Sequence, residues 1–248
     1  MAGATITLDE ALDLTRTGDI WLFRGRKPAD RAIQFTTNSP VNHVGMSVAI
    51  DDLPPLMWHA ELGRSLPDLW SGRYHRGVQL HDLRSAVIVW CRRYGQRVWL
   101  RQLDGHVTRE MEDALLRTIA RLDGTPFPST MRLAARWMRG KLPSRIRVPF
   151  RLPIGRRSRS TGQSTGRSMA TSVASANVAA QGARLDGDQS RRLETAYCAE
   201  VIALTYEAMG LLPSNRNASW YDPGRFWSGD DLELLRGFAL GGEIAVEV

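Results

Sequence analysis

Alternating apolar positions mark the most readable stretch of the chain. In Asn42-His43-Val44-Gly45-Met46-Ser47-Val48-Ala49-Ile50, apolar side chains fall at 44, 46, 48 and 50, the period-two signature of a half-buried strand. Asp51-Asp52-Leu53-Pro54-Pro55 then supplies turn residues, and Leu56-Met57-Trp58-His59-Ala60 reads as the second strand of a hairpin. Further strands are predicted at 19–23, 78–80 and 86–91. Two stretches switch to helical spacing. Thr108 to Leu122 predicts an amphipathic helix capped by Thr108 and stopped near Gly124-Thr125-Pro126-Phe127. From Thr195 to Gly210 apolar groups fall at 201, 204, 205 (the Thr methyl), 208 and 209, with Thr195 as N-cap and Gly210 followed by Pro213 as the stop. Together these elements predict an α+β fold, a small antiparallel β-sheet or partial barrel packed against the second helix.

That second helix carries Cys198 in its predicted first turn. Unsatisfied N–H groups and the positive end of the helix dipole favour a thiolate there. A free cysteine is otherwise often a small buried apolar residue, so the histidines decide its meaning. His43 stands at the first residue of its strand and His59 lies on the neighbouring strand, so the hairpin brings the two together. An imidazole base needs a polar group on its second ring nitrogen to fix its tautomer, and His59 suits that role. Gly45 removes a side chain beside His43, making room for another backbone or a substrate. Cys198, His43 and His59 are therefore the candidate catalytic residues, and Tyr197, Asn42 and Gly45 the candidate substrate contacts. Cys91, in the apolar run Ala86 to Cys91, reads as core; His75 and His81 read as surface residues.

The ordered set Gly18-Asp19-Ile20, Asn42-His43-Val44-Gly45, Trp58-His59-Ala60, Gly77-Val78-Gln79-Leu80 and Tyr197-Cys198-Ala199-Glu200-Val201 resembles a known family. It looks like the circularly permuted branch of the NlpC-type papain-like cysteine hydrolases, the YiiX/YebB-like group, with the lecithin:retinol acyltransferases as distant relatives. The resemblance covers roughly 15–130 and 194–228, and Asp222-Pro223-Gly224-Arg225-Phe226 is similar to a segment near the end of that domain. It implies a permuted papain-like fold with Cys198 as nucleophile, His43 as base and His59 as the orienting residue. The sequence departs from the pattern twice: His59 stands where Glu is frequent, and Ala199 where Ser commonly follows the cysteine. The Asn-Cys-Glu-His motif of the acyltransferases is absent.

Composition bounds this picture. A chain of 248 residues buries a real core as one domain with appendages. Asp9, Glu10 and Asp13 stand where a signal peptide is apolar, and no apolar run reaches membrane-spanning length. Two cysteines are too few for a disulfide scaffold and fit a reducing compartment. Those features predict a cytoplasmic protein. There is no CxxC, HExxH or Gly-rich phosphate loop, so neither a metal nor a cofactor is expected.

The net charge of +7 conceals a division within the chain. From 131 to 185 there are 12 Arg or Lys and no acidic residue, which leaves 21 basic against 26 acidic residues elsewhere. The predicted organisation is a hydrolase domain over 1–130 and 194–248, a basic amphipathic insertion over 131–153 carrying Trp137, and a Ser/Gly/Ala/Arg linker over 154–193. The insertion reads either as a solvated loop or as a docking element for an anionic membrane surface through 131–159, giving a peripheral location. Nucleic acid is not expected as a partner.

The expected activity is a cysteine hydrolase of the amidase or peptidase type, acting on an acyl bond such as a peptide or a peptidoglycan-derived amide. The alternatives are a lipid-directed thioesterase or acyltransferase on the same fold, and a non-catalytic binding module.

Overall fold

Thr7 and Glu10 cap each other's backbone: the Thr7 N–H donates to Glu10 Oε2 at 2.8 Å and the Glu10 N–H to Thr7 Oγ1 at 3.3 Å. This box joins strand β1 (Thr5–Thr7) to helix α1 (Leu8–Leu14), which buries Leu8, Ala11 and Leu12. There follow β2 (Ile20–Arg24), β3 (His43–Val48), β4 (Leu56–Glu61), β5 (Gly77–Asp82), α2 (Leu83–Ile88), a π-helical turn (Val89–Arg93), β6 (Arg97–Arg101), β7 (Leu103–Asp104), α3 (Arg109–Leu122), α4 (Cys198–Ala208), β8 (Ala239–Leu240) and β9 (Ile244–Glu247). The computed structural model describes residues 5–25, 39–50, 53–61, 64–125, 197–228 and 232–248. The chain divides into two units, Met1–Lys141 with Leu193–Val248, and Leu142–Arg192; every described residue belongs to the first. The predicted insertion over 131–153, the linker over 154–193 and the predicted cap Thr195 lie outside the described residues.

The main sheet has seven strands in the order β1-β9-β6-β2-β3-β4-β5. Its pairs are antiparallel except β1 with β9, so the α+β expectation holds at that level. Among the described residues β1 and β5 stand at its two ends without pairing to each other, so the sheet is open. The hairpin β3–β4 sets Met46 opposite Trp58 and Val48 opposite Leu56.

The two faces of the sheet bury different cores. Ile20, Leu22, Val44, Met46, Trp58, Ala60, Val78 and Leu80 pack with α3 and α4. Trp21, Phe23, Met57, Val98 and Leu100 pack with α1, α2 and Trp90. Helix α3 presents one apolar stripe, Met111, Leu115, Ile119 and Leu122, at the predicted spacing, and Thr108 caps it by accepting from the Met111 N–H at 3.4 Å. Helix α4 is buried along Cys198 to Ala203 and again at Thr205 and Tyr206, a core helix rather than a surface one. Full burial of such aliphatic and aromatic side chains contributes roughly 1.5–3 kcal/mol each.

One predicted strand is a helix. Residues 86–91 belong to α2 and the π-helical turn. The Asp82 carboxylate accepts from the Ser85 N–H at 2.7 Å and starts α2, and Leu83, Ala86, Val87 and Trp90 recur at helical spacing on its buried side. A short run of β-branched residues does not by itself distinguish strand from buried helix, and here the cap decides.

The Gly18-Asp19 pair is a structural pin. Gly18 has φ +93°, and its carbonyl accepts from Tyr206 Oη of α4 at 2.5 Å. The buried Asp19 carboxylate accepts from the Leu103 N–H at 2.7 Å and the Arg16 N–H at 2.8 Å. Burial pushes its pKa up to about 6 against those hydrogen bonds. Arg101 ties the C-terminal region down, donating to the carbonyls of Phe226 at 2.6 Å, Gly241 at 2.6 Å and Leu240 at 3.0 Å.

Candidate active site

Cys198 is the first residue of α4, with Tyr197 as its extended N-cap (φ −121°, ψ 167°). The Tyr197 hydroxyl donates to the carbonyl of Ser219 at 2.8 Å and to that of Tyr221. This anchors the helix start to the 3₁₀ turn Ala218–Trp220 and its C-cap Tyr221, just ahead of a second 3₁₀ turn, Pro223–Phe226. The buried Cys198 sulfur faces the backbone N–H of Val44 and those of Ala199 and Cys198 itself. These dipoles favour a thiolate, as the position on the helix predicts. Burial outweighs them and pushes the thiol up to about 11, and the charge of Asp222 acts in the same direction. The resting group is therefore a neutral thiol, not the expected thiolate.

The histidines form a continuous chain. His43 Nε2 lies 3.2 Å from His59 Nδ1, His59 Nε2 lies 3.0 Å from His81 Nδ1, and His81 Nε2 lies 3.2 Å from Gln79 Oε1. Strand register builds this chain, because β4 and β5 set His59 opposite Gln79 and Met57 opposite His81. Trp90 packs edge-on against both His43 and His59, with ring centroids 4.6 and 4.7 Å away, and Phe23 lies 5.8 Å from His43. Burial lowers His43 to about 3 and His81 to about 4 and holds His59 well below its usual value, so all three rings are neutral near pH 7. Glu61 ends the cluster: its Oε1 accepts from Ser65 Oγ at 2.7 Å, its Oε2 lies 3.9 Å from His81 Nδ1, and burial raises its pKa.

His43 and His59 are thus brought together as the hairpin predicts. Cys198 comes to the same end of β3 from the other side. The His43 ring shares its face with Phe23, directly opposite it on β2, whereas Val44 faces α4 and packs in the core that holds Cys198. Thiol and imidazole therefore flank the His43–Val44 peptide, and no hydrogen bond joins the sulfur to either ring among the described residues.

The candidate substrate contacts have structural duties. Asn42 is buried, and its Oδ1 accepts from the Gly25 N–H at 2.6 Å. A Cβ on Gly45 would meet Met57 Sδ at 2.3 Å, so the room the glycine leaves is filled by Met57. Tyr197 holds the helix start, as described.

His81 corrects the sequence reading: it is fully buried in the chain, not on the surface. His75 is partly buried, 3.8 Å from Asp68. Cys91 is partly exposed and packs against the second core, and burial pushes its thiol up to about 11. Sequence reasoning missed Gln79, His81 and Asp222 as neighbours of the site. The signal for the first two is period two: residues 79 and 81 share a strand face that a further antiparallel pairing places beside 59.

No protein-family model matches the chain, and no curated protein matches it. Among solved structures it is similar to the metalloprotein yiiX from Escherichia coli O157:H7, at 24% identity and a TM-score of 0.34, over 46% of this chain and 53% of that one. The chain thus spans about half the length of that protein in the similarity, and the likeness of fold is partial. No helix among the described residues is long and apolar enough to cross a membrane.

Proposed function

We propose that the chain is a cysteine hydrolase acting on an acyl bond, an amide or peptide, through Cys198 and His43, on a permuted papain-like domain of the YiiX-like kind. The observation that carries this reading is the placement of Cys198 Sγ at a helix N-terminus against the Val44 N–H, one peptide from a histidine already bonded through Nε2 to a second histidine. In such a site His43 Nδ1 is the free basic nitrogen.

Because the thiol is pushed up to about 11 and His43 down to about 3, the pair rests uncharged. The proton then leaves sulfur for His43 Nδ1 as sulfur bonds to the acyl carbon, rather than from a preformed ion pair. The carbonyl electrons move to oxygen beside the N-terminal N–H groups of α4. As the C–N bond breaks, His43 returns the proton to the leaving amine. Water attacks the thioester, gives a proton to His43, and the C–S bond breaks to release the acid and restore the thiol. Turnover therefore requires a rearrangement that brings His43 Nδ1 and the Cys198 sulfur, on opposite faces of the sheet here, into hydrogen-bond contact.

The missing thiol–imidazole hydrogen bond and the raised thiol also favour a second reading, a binding module that does not turn over substrate. Hydrolysis assays on a panel of peptide amides, peptidoglycan-derived amides, lipid esters and acyl thioesters separate the readings. Turnover of an amide that disappears in Cys198→Ala supports the hydrolase. Faster turnover of the lipid substrates moves the activity to a thioesterase or acyltransferase. No turnover of any member leaves the binding module, and turnover unaffected by Cys198→Ala would contradict Cys198 as the nucleophile. We further propose that the basic stretch 131–159, outside the described residues, holds the protein peripherally at an anionic membrane surface; co-sedimentation with anionic vesicles that added salt does not weaken would contradict this.

A further inference from the structure

The geometry points to Gln79 and His81 as positioning residues that set the tautomer of His43 through His59. The inference rests on the hydrolase reading for its consequence, but its structural content does not. Gln79 is fully buried, and its side-chain amide can face only one way: Nε2 donates to the His75 carbonyl at 3.3 Å, so Oε1 faces His81 as an acceptor. An acceptor 3.2 Å from His81 Nε2 requires that nitrogen to carry the proton. A neutral His81 then has a bare Nδ1, which accepts from His59 Nε2–H across 3.0 Å. A neutral His59 in turn has a bare Nδ1, which accepts from His43 Nε2–H across 3.2 Å. The last ring is left with a bare Nδ1, the lone pair a thiol proton needs.

Reversing any single link breaks the others, because each neutral imidazole has one donor and one acceptor. A donor in place of the Gln79 oxygen would turn all three rings over and put the proton on His43 Nδ1, where it would block the base. Two features hold the chain in place. Trp90 packs against both His43 and His59, and the two sheet pairings around β4 fix the spacing of the rings. Glu61 is the acidic side chain of β4 beside His81, with Oε2 at 3.9 Å, and its other oxygen is occupied by Ser65. Asp68 and His75, both in the loop before β5, and Arg93 of the π-helical turn also act on this end of the cluster.

Long-range ¹H–¹⁵N spectra of the full chain labelled on the imidazole nitrogens read each tautomer directly, without any substrate. The expected result is Nε2–H for His43, His59 and His81 alike. Gln79→Leu should give a mixture at His81 and His43 and lower kcat at least tenfold with KM nearly unchanged, as expected for a base held in the wrong tautomer. Gln79→Glu in its protonated form, whose hydroxyl can take the donor's place at the His75 carbonyl while its other oxygen accepts from His81, should recover the Nε2–H pattern at mildly acidic pH. Finding His43 as the Nδ1–H tautomer in the unaltered protein would overturn the inference, as would Gln79→Leu spectra identical to those of the unaltered protein. The predicted tautomers in a protein without hydrolase activity would uphold the relay and sink the enzyme reading instead.

Discussion

The two faces of the central sheet solve opposite problems. On the α3/α4 face a large apolar core surrounds one thiol, and burial keeps that thiol neutral. On the α1/α2 face a smaller core admits three imidazoles and an amide, each satisfied by the next, so that a polar chain crosses an apolar layer without a bare donor. The faces come together at the His43–Val44 peptide. One strand thus carries an imidazole on one side and sets its backbone N–H toward the Cys198 sulfur on the other, so the two candidate groups sit in separate cores.

The largest effects should come from removing either partner at that junction. Cys198→Ala and His43→Ala should each lower kcat/KM by roughly 10⁴-fold or more, and their double variant should be scarcely worse, since groups acting as a unit are not additive. Circular dichroism should show Cys198→Ala folded, because the first helical position accepts Ala. His59→Ala should cost less than His43→Ala. If it costs as much, His59 does more than orient the base.

The next effect sharpens the boundary between the faces. Trp90→Ala removes the wall shared by His43 and His59 and should cost about 3–5 kcal/mol in denaturant unfolding, with turnover falling as the relay loosens. Gly45→Ala should cost about 1–3 kcal/mol through its clash with Met57. Adding Met57→Ala should recover part of that loss if the glycine serves packing; a loss of substrate binding that Met57→Ala does not relieve would assign Gly45 to the substrate after all.

The legible parts of the fold were those where one periodicity stood alone. The alternation at 44–50 and 56–60 and the helical stripe of 108–122 correspond to β3, β4 and α3 nearly residue for residue. The run 86–91 was not legible from apolar content, because its burial on α2 and the π-helical turn looks the same as burial in a strand; Asp82 and Ser85 carried the missing information. His43 and His59 could be paired because a hairpin is local. His81 could not, because its contact with His59 depends on how β5 registers against β4, and no short-range signal states that register. The thiolate expectation failed for a related reason: the helix terminus is visible in sequence, but the depth of burial that outweighs it is not.

A pH series tests that balance with a smaller effect. With the folded thiol near 11, against 9 for an ordinary cysteine, Cys198 alkylation should be slow at neutral pH. It should keep rising with pH past 9, whereas the unfolded chain should level off there, since only the thiolate reacts. Rapid Cys198 labelling at mildly acidic pH would show that burial does not dominate. Smallest of all, Tyr197→Phe should cost about 1 kcal/mol, from two buried carbonyls losing their donor, with little change in labelling rate.

Cys198 and His43 are proposed to act as nucleophile and base across the first peptide of β3. Intact-protein and peptide mass spectrometry after brief exposure to an activated acyl ester tests it most directly. The expected result is one acyl group on Cys198, lost again on incubation, and its near absence in His43→Ala and Cys198→Ala. Acylation of Cys198 that proceeds equally fast in His43→Ala, or no acyl group on Cys198 in the unaltered protein, would contradict it.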